Sequence, residues 1–160
     1  MTNIYPGQYR ISRIQLINWG TFHGYFSIPV ARKGFLITGG SGSGKSTLLD
    51  AMSAVLVPQK DLKFNAASQQ DLGRHDGRNL VSYVRGAWRQ QENTQTGEIA
   101  PEYLRTGATN SIVALTYDNG AGKQHTLIAI FRLNGGENSV SQVKKLYGVC
   151  LLYTSDAADE

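Results

Sequence analysis

The sequence has little of several features that would assign it to particular classes of protein. Its 160 residues include one cysteine, Cys150, so no intrachain disulfide can form. Three scattered histidines and no CxxC pair leave no zinc-ligand spacing. No apolar run approaches the roughly 20 residues of a membrane-spanning helix, and the polar start lacks the layout of a secretory signal. These absences predict a soluble, cytoplasmic protein that makes no membrane contact and takes any metal ion together with a ligand.

Acidic residues are also few, with 12 against 16 lysines and arginines. Three of the 12 lie in residues 150–160, which contain no basic residue. Removing them leaves 9 acidic against 16 basic side chains in residues 1–149, a net charge of +7. Such an excess favours polyanionic partners, nucleotides or nucleic acid, although a need for solubility would also explain it.

The last eleven residues, CLLYTSDAADE, differ in character from the rest. They back-translate in one frame as the mosaic-end adapter of transposase-made sequencing libraries. We therefore expect residues 1–149 to be the native part and residues 150–160 to be adapter read-through, with a natural, frayed C-terminus as the alternative. On the first interpretation the native protein continues beyond Val149, and Cys150 has no biological role.

Hydrophobic patterning predicts an α/β domain. Apolar-rich segments predict strands at 9–18, 21–30, 111–117, 125–132 and 143–149, and a short strand buried on both faces at 35–37. Helical spacing of apolar residues predicts helices at 45–56, where Pro58 ends the helix, and at 79–89. Residues 59–78 and 90–101 are polar and predict loops, and the DNGAG stretch at 118–122 predicts a hairpin turn.

One motif carries chemistry. Residues 39–47 satisfy GxxxxGK[ST] between the predicted strand at 35–37 and the predicted helix at 45–56, which is the context that a phosphate-binding loop requires. We expect this loop to bind a nucleotide, because glycines let backbone amides converge on an anion and the helix N-terminus adds the positive end of its dipole. The candidate cofactor-binding residues are Gly39, Gly40, Ser41, Gly42, Ser43, Gly44, Lys45, Ser46 and Thr47.

Three side chains of the loop have separate expected roles. Lys45, the candidate catalytic residue, is expected to reach the β- and γ-phosphates as a point charge. Ser46 is expected to coordinate Mg²⁺, and Thr47 to contact the α-phosphate. ATP is the favoured nucleotide, since residues 1–149 contain no NKxD-type guanine-binding motif.

Longer stretches add a family resemblance. The opening ISRIQLINWGTFHGYFSIPVARKGFLITGGSGSGKSTLLDAM resembles the N-terminal head segment of SMC-like ATPases. Three further segments, KFNAAS, NLVSYVRGAW and YLRTGATNSIVALTYDNG, look like the JetC motor subunits of Wadjet anti-plasmid systems, and the chain is similar, more distantly, to MukB and SbcC-type ATPases. The resemblance covers nearly all of residues 5–149.

This resemblance implies a P-loop NTPase of the ABC/SMC type, represented by its N-terminal lobe alone, with antiparallel strands packed beside the P-loop strand and helix. It implies a homodimer of heads that sandwiches ATP and Mg²⁺, movement of DNA by loop extrusion, and kleisin-type and nuclease partner subunits. The Walker B and signature motifs of the family have no counterpart in this sequence. The fragment is therefore expected to bind ATP but to hydrolyse it slowly or not at all.

Two other classes remain open. An ATP-binding subunit of an ABC transporter also suits GGSGSGKSTLL, although no glutamine loop follows it at a strand end. A small P-loop kinase would need an acidic catalytic residue after an apolar strand, which is not visible.

Several residues outside the loop have competing interpretations. Asn18, with Trp19, is a candidate for contacting the base or ribose, or is part of a strand-end turn. Arg85 either reaches a phosphate or DNA or is a solvated helix residue, and Asp50 either orients the sheet–helix junction or lies on the helix surface. Tyr83 and Trp88 are expected in or near the core, and His23, His75 and His125 on the surface or in turns. DNA contact and a solvated basic face are equally open for Lys60, Lys63, Arg74, Arg78, Arg89 and Arg105.

Overall fold

The computed structural model describes residues 7–64, 79–92 and 99–153. In chain order its elements are β1 (Arg10–Trp19), β2 (Phe22–Pro29), α1 (Lys45–Leu56), α2 (Leu80–Arg85), β3 (Ala87–Glu92), β4 (Ile99–Tyr103), β5 (Thr109–Asp118), β6 (Lys123–Leu133) and β7 (Lys144–Tyr153), with short 3-10 turns at Gln59–Asp61 and Val140–Gln142.

Five of the strands form one sheet in the order β2-β1-β5-β6-β7, and every neighbouring pair is antiparallel. The predicted hairpin between β5 and β6 is confirmed. The side chain of Asn119 accepts from the amides of Ala121 and Lys123, and Gly120 and Gly122 take positive φ angles of 69° and 78°. Such angles suit glycine, so the DNGAG stretch turns the chain tightly enough to pair Asp118 with Gln124.

The core lies between one face of this sheet and the two helices. Ile14, Leu16, Leu115 and Phe131 are fully buried on the sheet. Leu48, Ala51 and Ala54 from α1 and Leu80, Val81 and Val84 from α2 join the same cluster. Burying these side chains brings α1, and with it the glycine-rich loop, against the middle strands β1, β5 and β6.

The bounds predicted for α1 are confirmed, but its predicted apolar stripe is only partly correct. Leu48 is buried, whereas Leu49 and Leu56 are about half exposed, at 52% and 47%. The face that meets the sheet is made of Thr47, Leu48, Asp50, Ala51 and Ala54. Small alanines let the helix approach the sheet closely, and of the leucines only Leu48 joins them, whereas Leu49 and Leu56 point away.

The predicted buried strand at 35–37 is wrong for this structure. The segment forms no strand, Phe35 is 43% exposed and Leu36 is 84% exposed. A strand needs a neighbour to satisfy its amides and carbonyls. Each described strand of the main sheet pairs only with its neighbours in the order given above. None of these strands lies beside residues 35–37.

The region after α2 also differs from the prediction. A helix over 79–89 was expected, but α2 ends at Arg85 because Gly86 takes a left-handed conformation with φ 70°. The chain continues into β3, which pairs with β4 inside the predicted loop at 90–101. Trp88 therefore lies on a strand and is 48% exposed, outside the core, whereas Tyr83 is buried as expected.

Candidate nucleotide-binding site

The glycine-rich loop takes backbone angles that require glycine. Gly39, Gly42 and Gly44 have φ angles of 155°, 78° and 90°. A Cβ atom at Gly39 would lie 2.6 Å from the Ser43 hydroxyl oxygen, and one at Gly44 would lie 3.2 Å from the ring of Phe22. Other residues at these positions would be strained or would displace their neighbours. The loop conformation therefore depends on the motif's glycines.

The helix that follows this loop has an uncompensated positive end. Gly44 is its N-cap and provides no side-chain hydrogen bond, and the first turn of α1 contains no acidic residue. The first amides of a helix have no intrahelical acceptor, and the helix dipole places partial positive charge there. An anion at this position would satisfy both the amides and the dipole.

Lys45 places a full positive charge at the same place. Its ammonium donates to the carbonyl oxygens of Gly39 and Gly40, each at 2.6 Å, and lies 3.3 Å from the hydroxyl of Ser43. The side chain thus folds back over the loop. Charged phosphate oxygens make stronger acceptors than these neutral ones, so an anionic ligand would compete for the same three donors.

A buried group of side chains, Trp19, Tyr83 and Asp50, fixes the position of the first turns of α1. The indole of Trp19 donates to the carbonyl of Thr47 at 3.0 Å and stacks on Tyr83 with ring centroids 4.8 Å apart. Tyr83 in turn donates to the carboxylate of Asp50. Trp19 is fully buried, which argues against the contact with the base or ribose considered for it. Asp50 is only 4% exposed, so the surface alternative is wrong, and its contact with Tyr83 joins α1 to α2.

Asn18 lies at the end of β1, beside this group. Its backbone has a positive φ of 51°. Its side-chain nitrogen donates to the backbone carbonyl of Asn110, and its side-chain oxygen accepts from the backbone amide of Gly24. It also lines an open cavity of about 580 Å³ together with His23, Arg105 and Thr109. Its role toward a nucleotide stays a prediction.

The structure corrects the interpretation of two arginines. Arg85 is 1% exposed and neither reaches a ligand surface nor lies in solvent. Among the described residues its guanidinium donates to carbonyl oxygens of distant loops, those of Arg105, Gly107, Asn134 and Glu137.

Arg105 is held in a similar way, which argues against both interpretations considered for it, contact with DNA and a place on a solvated basic face. It is 8% exposed and donates to the carbonyls of Gly20, Tyr83 and Val84. Burial lowers the pKa of Arg105 to about 10, so it remains charged at neutral pH. Carbonyl dipoles offset this charge and tie the end of α2 to the turn after β1.

The other basic candidates are more accessible. Lys60 and Lys63 are exposed, and so is Arg89, which pairs with Glu102 at 2.5 Å and stacks on Trp88. Arg74, Arg78 and His75 lie outside the described residues. His125 stacks on Tyr9, with ring centroids 4.4 Å apart. Within 7–64, 79–92 and 99–153, no three histidine, cysteine, aspartate or glutamate side chains gather into a metal site.

Comparison with known proteins agrees with the loop geometry. A family model described as the P-loop containing region of AAA domain matches residues 11–71, a span that includes β1, β2, the glycine-rich loop and α1. The chain thus contains a P-loop ATPase-type domain of α/β class. A search of curated proteins found no significant match. In the described part of the chain, neither helix is long and apolar enough to cross a membrane.

Proposed function

We propose that this chain is the ATP-binding N-terminal half of the head of an SMC-like, DNA-translocating ATPase that acts by loop extrusion in plasmid defence or chromosome maintenance. The observation that carries nucleotide binding is the uncapped, acid-free N-terminus of α1 with the Lys45 ammonium beside it. Helix amides, dipole and ammonium all favour one ligand class, a polyphosphate.

The residues present fit ATP with Mg²⁺. Ser46 is the second residue of α1 and is partly exposed beside the loop, and its hydroxyl is a hard oxygen ligand of the kind that Mg²⁺ binds. Mg²⁺ supplies neutralisation of phosphate charge when bound. In this proposal the amides of residues 39–47 would bind the phosphates, Lys45 would neutralise the terminal ones, and Thr47 would contact the α-phosphate.

The form of the sheet supports an SMC-like head over a small P-loop kinase. A doubly wound kinase domain surrounds its P-loop strand with parallel strands. Here α1 packs on an entirely antiparallel sheet, and the segment before the loop leaves Leu36 84% exposed. An exposed apolar segment at this position suits a lobe that another part of a larger head completes. An ABC transporter subunit remains the alternative, since its head would use the same loop.

The proposal extends to location and partners. The full-length protein would act in the cytoplasm as a homodimer whose heads sandwich ATP, and would move DNA together with kleisin-type and nuclease subunits. The 160 residues alone would bind ATP without efficient hydrolysis, because the Walker B and signature motifs would be supplied by the remainder of the head.

Titration calorimetry of the purified chain with ATP and Mg²⁺ tests the site. Lys45→Ala should weaken ATP binding at least tenfold, because it removes the ammonium at the loop. Lys33→Ala, which removes an exposed lysine outside the loop, should leave it unchanged. Equal ATP affinity for Lys45→Ala and the unaltered chain, with circular dichroism reporting intact folding, would refute the proposed site.

A second test addresses the finer assignment. Genomic sequence read across position 149 should continue into heptad repeats and later encode Walker B and signature motifs. A frame that encodes a glutamine loop within a few tens of residues and neighbours a membrane-protein gene would favour the transporter instead.

A further inference from the structure

The face of the main sheet opposite the helices, here called the outer face, presents apolar side chains. The two helices pack on the face that carries Ile14, Leu16 and Phe131. Tyr25 and Leu146 point to the outer face and are 60% and 64% exposed. Exposed apolar side chains that gather on one face, instead of being scattered, mark interaction surfaces.

Strand register aligns these side chains into one line. Ile17 pairs with Tyr25 on one side and Ile112 on the other, Ile112 pairs with Ile130, and Ile130 pairs with Leu146. This outer row therefore has one apolar residue on each of the five strands, spanning about 19 Å at roughly 4.8 Å per strand. Most members of the next row are smaller than their neighbours in the outer row, and we call this row the groove. Its members are Ser27, Gln15, Ala114, Ile128 and Gly148.

Basic residues border the outer row on both of its long sides. On one side Arg132 and Lys144 are both exposed and stand directly opposite each other in the β6–β7 pair. Like charges in this position destabilise a sheet. Neither forms a salt bridge with any described residue. Lys144 interacts electrostatically with Glu137, but both oxygens of that carboxylate accept hydrogen bonds from Asn134.

Beyond the groove, a further cation borders the outer face. Arg13 is exposed and its guanidinium donates only to the hydroxyl of Ser27 among the described residues. The apolar row thus lies between cations on both sides, without a carboxylate in the rows that hold them. A surface that matches the outer row in shape and charge would be apolar and would carry acidic groups at its edges.

We propose that the outer row binds an amphipathic helix of a partner protein, whose apolar stripe lies on the row and whose flanking carboxylates face Arg132 and Lys144. A 19 Å row matches about 13 helical residues at 1.5 Å each, and a helix about 10 Å wide covers the row and its groove. Carboxylates from the partner relieve the repulsion between the two cations. A nucleic acid would find five apolar residues where its phosphates need donors, so a protein partner suits this face better.

The proposal does not depend on nucleotide binding and is tested separately from it. The probes are three synthetic 15-residue helical peptides with one common leucine stripe, flanked by glutamate, glutamine or lysine. Fluorescence anisotropy with the full 160-residue chain should rank them in that order, with the glutamate peptide binding at least tenfold more tightly than the lysine peptide. Calorimetry with ATP is run on every variant as a separate readout and should be unchanged.

Exposed positions allow variants that leave the core intact. Leu146→Gln should weaken binding of the glutamate peptide at least fivefold. Arg132→Glu combined with Lys144→Glu should make the chain bind the lysine peptide more tightly than the glutamate peptide. Lys33→Glu, a single charge reversal at an exposed site away from the sheet, should change neither.

Four results would overturn the proposal: peptides that bind equally, peptides that all fail to bind, binding insensitive to Leu146→Gln, or the same loss with Lys33→Glu. A 20-base-pair DNA duplex that binds and is lost in the Arg132→Glu, Lys144→Glu variant would assign the face to nucleic acid instead. Dimerisation in sedimentation that Leu146→Gln abolishes would assign it to a second copy of the chain.

Discussion

The hydroxyl of Tyr83 donates a hydrogen bond to the carboxylate of Asp50, and this contact joins α2 to the helix that begins in the phosphate loop. Both residues are buried, at 3% and 4% exposure. The ring of Tyr83 also stacks on Trp19, which holds the carbonyl of Thr47. The position of the phosphate loop therefore depends on an element that lies more than thirty residues further along the chain.

Tyr83→Phe should lower the free energy of unfolding by about 1.5–3 kcal/mol, the usual range for a hydrogen bond to a charged group. The ring and its stacking are retained, so the change isolates the hydroxyl. Urea denaturation measures it. Tyr117→Phe on β5 is the matched control, because the Tyr117 hydroxyl bonds to none of the described residues. Equal losses for both variants would contradict the role of this contact.

Gly20 lies close to Thr47 of α1 and Tyr83 of α2. It has φ 55°, and an added Cβ would lie 2.6 Å from the methyl of Thr47 and 3.2 Å from the ring of Tyr83. Gly20→Ala should therefore cost about 1–2 kcal/mol for its conformation and about 1–3 kcal/mol more for the overlap. Gly24→Ala, at φ 83° with open space around it, should show only the first cost. Denaturant titrations that give the same loss for both would argue against the close approach.

Local signals made some of this structure predictable from sequence. The glycines of the phosphate loop, Pro58 after α1 and the DNGAG turn each act through the backbone of their own segment, and α1 and the β5–β6 hairpin were correctly predicted from them. The strand expected at 35–37 failed because pairing is not local. A run of apolar residues does not specify whether another strand lies beside it.

The buried arginines illustrate a second limit. In sequence, Arg85 follows an amphipathic pattern that would leave it in solvent, and no carboxylate at helical spacing suggests a partner. Its actual partners are backbone carbonyl groups, which every residue carries. The side chains in the sequence therefore do not indicate which groups it binds. The polar β3–β4 hairpin was missed for a related reason, since its strands lack the alternation that marks a half-buried sheet.

Arg85→Met should be among the most destabilising substitutions in the chain. It leaves carbonyl acceptors at Gly107, Asn134 and Glu137 without their donor, and each acceptor left unsatisfied on burial costs about 1–3 kcal/mol. Arg89→Met removes an exposed arginine from a surface ion pair and should cost at most about 1 kcal/mol. Thermal unfolding of the two variants makes the comparison, and a similar change for both would show that the buried contacts contribute little.

Acid should lower the stability of the turn between Asn134 and Glu137 by protonating the Glu137 carboxylate. The backbone amide of Asn134 and then its side-chain amide donate to this carboxylate, and they hold the pKa of Glu137 below its usual value of 4.5. A lowered pKa in the folded state means that the carboxylate stabilises the fold fully above pH 4.5 and loses this effect as the pH falls through the lowered value. Glu137→Gln removes the charge, so it should destabilise the protein at pH 7 and much less at pH 3. Urea midpoints at the two pH values measure the difference, and a gap between the two proteins that did not narrow in acid would contradict this account.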